Sequence, residues 1–315
     1  MSKLTDIDQI AAAKGIDLSV NLAGITLKNP ITTASGTFSP HESSEFYDLS
    51  ELGAMITKGI ASIPWDGNPV PRIAETYGGM INAVGLQNPG VDYYIEHELP
   101  FARKFDTKII ANVAGHSITE YCSVVERLNE TDVDMLEVNI SCPNVKEGGI
   151  GFGTSCDMAS KVTREVKRLT TKPIIIKLTP NVTDIASIAQ SVEAEGADAV
   201  SLINTLLGMK IDVHRKRPVI ANKMGGFSGP AVKPVAVRMV YQVRRAVNIP
   251  IIGLGGIMTG EDVVEFLMAG ADAISVGTAA FANPIAPVDI KRELIDYMER
   301  YGFKNLQEIK DAFQG

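Results

Sequence analysis

The sequence predicts an α/β fold, specifically a (β/α)8 TIM barrel, and two features support this. Eight short and almost continuously apolar runs recur along the chain, as expected for parallel strands that are covered on both faces. Helix-like segments separate most of these runs. Eight such strands favour a closed barrel over an open, doubly wound sheet.

The predicted strands share β-branched residues and lie at 30–33, 54–57, 108–111, 135–138, 173–176, 199–202, 250–252 and 273–276. Two of the helix-like segments, 184–195 and 260–268, each run into a Gly-Ala-Asp-Ala step. Glycine can close a helix in the left-handed conformation, so we expect the next strand to follow at once.

Residues 18–28 are expected to form a β-hairpin outside the barrel count, plugging the bottom of the barrel. The remaining turn-rich stretches predict insertions in the βα loops at the C-terminal face, where barrels carry their chemistry. Residues 1–315 are expected to fold as a single domain.

The composition is that of a globular protein without nucleic-acid or membrane partners. Apolar residues make up 45% and charged residues 21% of the chain, and the net charge of −7 disfavours polyanionic partners. The N-terminus lacks the pattern of a signal peptide, and no apolar run is long enough to span a bilayer. The three cysteines form no CxxC pair, so we expect no metal or iron–sulfur site, and a reducing cytoplasm.

Polar side chains end most of the predicted strands. Any one of them could be a solvated loop residue, but amides and lysines gathered at the mouth of a barrel are costly to bury unless a polar ligand lies between them. These strand-end residues are Ser35, Lys58, Asn112, Asn139, Lys177 and Asn204.

Two glycine-rich loops, 253–257 and 276–279, follow the seventh and eighth strands. The corresponding loops of barrels frequently hold a phosphate. For either loop alone a tight turn explains the glycines equally well, but the two together favour phosphate. Met258 replaces the last glycine of a Rossmann motif. A site for one phosphate together with a ring of amides suits a mononucleotide flavin. We expect Lys177 to lie against the pyrimidine edge of that flavin. A third glycine-rich stretch, 225–230, is predicted to be a flexible loop.

The stretch 79–90 is too rich in turn formers to be the interior of an element. It offers the Asn82 amide and backbone N–H groups at 84–86, which suit a small carboxylate or imide. The amides of Asn139, Asn144 and Asn204 both donate and accept hydrogen bonds, as recognition of a cyclic amide requires.

Cys142 follows a strand end by a few residues, on a glycine-containing loop that is expected to open and close over a site. A free thiol titrates near ~8.5 and can accept a proton. A lone cysteine is more often a small buried apolar residue, and we expect that of Cys122 and Cys156. At Cys142 its position and asparagine neighbours favour a catalytic base.

Together, the motifs at 139–144, 82–86 and 204–205 and the glycines at 255–256 and 277–278 resemble those of dihydroorotate dehydrogenases. The resemblance runs from about residue 18 to about residue 283. It implies oxidation of (S)-dihydroorotate to orotate in pyrimidine synthesis, with FMN accepting a hydride from C6 and a base removing the C5 proton.

The chain has a cysteine in the position of the base and no N-terminal membrane helix, and in both features it resembles the soluble class 1 enzymes. Within that class, residues 144–149 and 204–208 look like those of the NAD-linked type 1B catalytic subunit. This resemblance implies a partner subunit with FAD and a [2Fe–2S] cluster, in an α2β2 heterotetramer with a homodimeric catalytic core.

Carried over residue by residue, the resemblance assigns Cys142 as the base; the spacing adds Asn144 as a substrate contact. The implied substrate contacts are Lys58, Asn82, Ala83, Val84, Gly85, Leu86, Asn139, Asn204 and Thr205. The implied FMN contacts are Ser35, Lys58, Gly59, Asn112, Asn139, Lys177, Ile203, Gly229, Gly255, Gly256, Gly277 and Thr278.

Three alternatives remain open from the sequence. A fumarate-linked type 1A enzyme would share the chemistry but have a differently composed loop after Asn144. A dihydropyrimidine dehydrogenase-like subunit would share the barrel, FMN and the cysteine. A catalytically inert barrel that acts as a scaffold would take up no flavin.

Overall fold

A computed structural model of the chain describes residues 7–141 and 151–315. Cys142 and Asn144, both predicted at the site, lie outside the described residues. In chain order the strands are β1 Val20–Leu22, β2 Ile25–Leu27, β3 Ile31–Thr33, β4 Ala54–Ile56, β5 Ile73–Thr76, β6 Gly79–Asn82, β7 Lys108–Val113, β8 Met135–Asn139, β9 Ile174–Lys177, β10 Ala199–Leu202, β11 Leu206–Met209, β12 Ile211–Asp212, β13 Arg217–Pro218, β14 Met224–Ser228, β15 Ile251–Leu254 and β16 Ala273–Val276.

The helices surround these strands, with a single π-helical turn at Tyr94–Glu98. They are α1 Ile7–Ala13, α2 Pro40–Ser43, α3 Val91–Tyr93, α4 Leu99–Ala102, α5 Ile118–Asn129, α6 Cys156–Lys167, α7 Ile185–Ala194, α8 Lys233–Arg244, α9 Gly260–Met268, α10 Ala279–Ala282, α11 Ala286–Tyr301 and α12 Leu306–Asp311. None of the helices in the described ranges is long and apolar enough to cross a bilayer.

The described residues form a closed parallel barrel of eight strands, in the order β3, β4, β7, β8, β9, β10, β15, β16. All eight correspond to the apolar runs in the sequence, with ends that differ by at most two residues. Their β-branched side chains are buried on both faces, between the barrel interior and the helices. The predicted barrel is confirmed.

The two predicted helix closures are also confirmed. Helix α7 is followed by Gly196 with φ +90° and α9 by Gly270 with φ +108°, a region that favours glycine. A Cβ on Gly270 would lie 2.3 Å from Cγ of Arg244. At its start, α9 has a capping box between Thr259 and Asp262.

Strands β1 and β2 form the predicted hairpin, turning at Ala23 and Gly24, which both have positive φ. Leu22 and Leu27 on this hairpin are fully buried. They pack against barrel-interior residues of several strands, among them Met135 of β8. The hairpin therefore closes one end of the barrel, as the sequence predicts.

The stretches 79–90 and 225–230 were predicted as loops, and this is wrong for part of each. Strands β5, β6, β14 and β11 form a four-stranded antiparallel sheet, here called the mouth sheet. Cross-strand pairing overrides the turn propensity of their glycines. Gly226 has to lack a side chain because a Cβ there would lie 2.0 Å from Oγ1 of Thr205.

Helix α1 is tied to the N-terminal end of the barrel by a buried lysine. Lys291 of α11 is fully buried, and its ammonium lies 3.0 Å from Oδ1 of Asp8 and 2.6 Å from Oε2 of Glu51. It also donates to the backbone carbonyl of Glu51 at 2.8 Å. Helix α1 is thus anchored to the barrel through Asp8.

Candidate active site

A cavity opens at the carboxyl ends of the barrel strands, between the barrel and the mouth sheet. It encloses about 1340 Å³ of empty space, including its open mouth. Most of the residues predicted at the site line it. They are Ser35, Lys58, Asn82, Ala83, Val84, Gly85, Leu86, Asn139, Lys177, Ile203, Asn204, Thr205, Gly255, Gly256, Gly277 and Thr278.

Three further predicted residues, Gly59, Asn112 and Gly229, are next to this lining rather than part of it. A Cβ on Gly59 would lie 3.2 Å from Oδ1 of the fully buried Asn112. A Cβ on Gly256 would lie 2.8 Å from the backbone oxygen of Gly229.

Ser141 links two of the site amides. Its hydroxyl donates to Oδ1 of Asn139 at 2.7 Å and accepts from Nδ2 of Asn204 at 2.6 Å. The Oδ1 atom of Asn204 accepts from the backbone N–H of Thr205 at 2.8 Å. Each amide oxygen is thus already paired within the protein, so the amide N–H groups that remain are the donors available to a ligand in the cavity.

A buried charged pair lies at the base of the cavity. Nζ of Lys177 lies 3.3 Å from Oγ of Ser35 and 3.5 Å from Oε2 of Glu137. Glu137 is fully buried in β8 and was missed by the sequence reasoning. The signal that could have found it is one carboxylate inside the otherwise apolar run Met135–Val138.

Both glycine-rich loops line the cavity, as predicted. Gly255 and Gly256 have φ of +124° and +80°, and any side chain on Gly256 would collide with the backbone of Lys233. Thr278 donates to the hydroxyl of Ser228 at 2.9 Å, or accepts from it. Backbone N–H groups of these loops can therefore approach an anion closely.

Lys58 is the second lysine of the cavity. Burial lowers the pKa of its ammonium group, and no described carboxylate forms an ion pair with it. An incoming anion would compensate that buried charge. By contrast, Cys122 and Cys156 are half-buried, and neither lines the cavity; burial raises the pKa of the Cys122 thiol.

The model of the family described as dihydroorotate dehydrogenase matches residues 17–298. The chain belongs to the dihydroorotate dehydrogenase family. It is similar to proteins named dihydroorotate dehydrogenase B (NAD(+)), catalytic subunit. The relative from Alkaliphilus metalliredigens is 60% identical over 94% of this chain and 99% of its own length. The relative from Listeria monocytogenes serotype 4b is 54% identical over 93% of this chain and 97% of its own length.

The fold has a counterpart among dihydroorotate dehydrogenases of known structure. The crystal structure of the Eimeria tenella enzyme in complex with ferulenol superposes with a TM-score of 0.75 at 23% identity. The match covers 94% of this chain and 88% of that one. At this identity the comparison supports the barrel alone.

Proposed function

We propose that this chain is the catalytic subunit of an NAD-linked dihydroorotate dehydrogenase, which oxidises (S)-dihydroorotate to orotate in pyrimidine biosynthesis. The observation that carries the proposal is the cavity, where two lysines and oriented amides face two glycine-rich loops. The near full-length similarity to relatives with that name supports it. Those relatives favour type 1B over the fumarate-linked and dihydropyrimidine alternatives.

The cavity suits FMN. The loops at Gly255–Gly256 and Gly277–Thr278 would hold its phosphate, and Lys177 would face its pyrimidine edge. Oδ1 of Asn112 is buried and has no hydrogen-bond partner among the described residues, which is costly unless a bound molecule supplies a donor. FMN, when bound, supplies the acceptor for the hydride that leaves C6 of the substrate.

The residues around the cavity would bind and orient dihydroorotate. The ammonium of Lys58 would pair with its carboxylate, together with backbone N–H groups of residues 84–86. The amides of Asn139 and Asn204, oriented by Ser141, would donate to the ring carbonyls. Such fixed donors align the substrate without reorganisation during the reaction.

Cys142 would take the C5 proton, in the step that accompanies loss of the C6 hydride. The thiol lies outside the described residues, directly after Ser141, so this role and that of Asn144 as a substrate contact remain predictions. Cys142→Ala should retain the flavin yet slow its reduction by dihydroorotate by roughly 10²–10⁴, the usual contribution of a positioned base. An undiminished rate in rapid mixing would contradict the role.

The name of the relatives, catalytic subunit, implies a second subunit. We propose that an FAD and [2Fe–2S] subunit passes electrons on to NAD in an α2β2 heterotetramer, whose core is a dimer of this chain. The isolated chain should then reduce artificial dyes but not NAD efficiently. Robust NAD reduction by this chain alone would overturn the two-subunit assignment.

The purified chain tests the central proposal. It should be yellow, and dihydroorotate but not dihydrouracil should bleach the flavin absorption. Bleaching by dihydrouracil instead would favour the dihydropyrimidine alternative. A colourless chain that takes up no FMN would favour an inert barrel.

A further inference from the structure

Glu137 is a carboxylate that the proposed chemistry does not yet use. It lies in the middle of β8 and is fully buried. An ionised carboxylate in the interior costs several kcal/mol of desolvation unless neighbouring groups compensate it. The groups around Glu137 should therefore be ones that compensate the burial of its charge.

All its hydrogen-bonding and ionic partners in the structure are donors or cations. Oε2 accepts from Nδ2 of Asn112 at 2.5 Å and lies 3.5 Å from Nζ of Lys177. Oε1 accepts from Oγ of Ser201 at 2.7 Å. A carboxylate accepts through both oxygens and donates through neither. The surroundings thus match its ionised form.

The barrel register brings these groups together. Asn112 lies opposite Glu137 across β7 and β8, and Ser201 lies opposite Lys177 across β9 and β10. Four consecutive barrel strands thus contribute one side chain each to a single polar cluster. Lys177 lines the cavity, whereas Glu137 does not. Glu137 therefore acts on a ligand without contacting it, through its neighbours and through the electrostatic field of its charge.

The carboxylate also fixes the direction of the Asn112 amide. Because Nδ2 donates to Glu137, Oδ1 has to face away from it, and this oxygen is the buried acceptor without a partner. One residue thus orients an amide acceptor and offsets the charge of the cavity ammonium.

We propose that Glu137 is a positioning residue, which holds Lys177 and Asn112 toward the flavin and whose negative charge limits how strongly Lys177 favours the reduced flavin. The inference rests on the proposed function, since it requires FMN in this cavity. Reduction places negative charge on the flavin ring. Removing the Glu137 charge should therefore make the bound flavin easier to reduce.

The test is the two-electron reduction potential of FMN bound to the full chain, measured against a reference dye at neutral pH. Glu137→Gln keeps the size of the side chain and can still accept from Asn112, but it removes the charge. It should shift the equilibrium toward reduced flavin by about tenfold, or roughly 30 mV for two electrons. Glu137→Asp keeps the charge and should leave the potential near that of the wild type.

Glu51→Gln is the matched control, since Glu51 is paired with the buried Lys291 at the other end of the barrel. It should lower the melting temperature without moving the flavin potential. If Glu137→Gln gives no soluble protein, Glu137→Gln with Lys177→Met should show a higher potential than Lys177→Met alone.

The outcomes separate the two proposals. A folded Glu137→Gln flavoprotein with an unchanged or lowered potential would overturn the role of Glu137 and leave the proposed function standing. Loss of soluble protein in both Glu137→Gln variants would indicate a structural role alone and would also overturn the inference. A wild-type chain that binds no FMN would overturn both proposals.

Discussion

Replacing Ser141 with alanine should weaken orotate binding by up to about thirtyfold while leaving the fold intact. The Ser141 hydroxyl bridges the Asn139 and Asn204 amides. Without it, either amide can rotate and present its oxygen to the substrate carbonyls. The ligand would then have to supply the energy that orders these groups.

The magnitude follows from the bonds that are lost. Alanine removes the contacts at 2.7 Å and 2.6 Å, each with a net value of about 1 kcal/mol. The backbone N–H of residue 141 still lies 3.3 Å from Oδ1 of Asn139, and Thr205 still donates to Asn204. The loss is therefore at most about 2 kcal/mol, close to thirtyfold in the dissociation constant.

Orotate titrations of the FMN-loaded chain, followed by the flavin absorption, measure this constant. Ser160→Ala is the matched control, because that hydroxyl bonds a carbonyl of Ser191 between α6 and α7, outside the cavity lining. The control should bind orotate as the wild type does. A folded Ser141→Ala variant with wild-type affinity would refute the claim that this hydroxyl orients the amides.

Two further predictions concern the lysines. Lys291→Met leaves two carboxylates without their buried cation, which should cost about 3–5 kcal/mol of unfolding free energy. Thermal melting should show a clear drop, whereas Lys14→Met, which removes a partly exposed ion pair with Glu299, should change little; equal drops would contradict the buried anchor. Because burial lowers the pKa of Lys58, orotate affinity should be full below that pKa and fall as pH rises through it. Lys58→Arg should keep its affinity to higher pH in the same titrations, and parallel profiles would contradict the role of Lys58.

The barrel could be predicted because each of its strands is a local signal. Runs such as residues 174–176 are apolar on both faces, as is typical of parallel strands covered on both sides. The residues at the strand ends followed from the same reasoning, since a barrel gathers them at one face. Lys58, Asn139 and Lys177 all line the cavity.

The mouth sheet and the polar cluster could not be predicted in this way. Gly226 pairs with Asn82 across 144 residues of sequence, and local turn propensity contains no information about such a partner. Glu137 is one charge in an apolar run, and its meaning depends on the register that brings Asn112 opposite it. Assigning Cys142 depends on motif and position alone, so it remains a prediction.

The mouth sheet limits how specificity could be exchanged between relatives. Three distant stretches of the chain, 73–82, 206–209 and 224–228, are hydrogen-bonded into one unit above the cavity. A single stretch taken from a homologue would have to pair with strands that it did not evolve with. Any residue other than glycine at position 226 would also clash with Thr205. A chimaera of two relatives should therefore keep an intact site only when all three stretches come from the same parent.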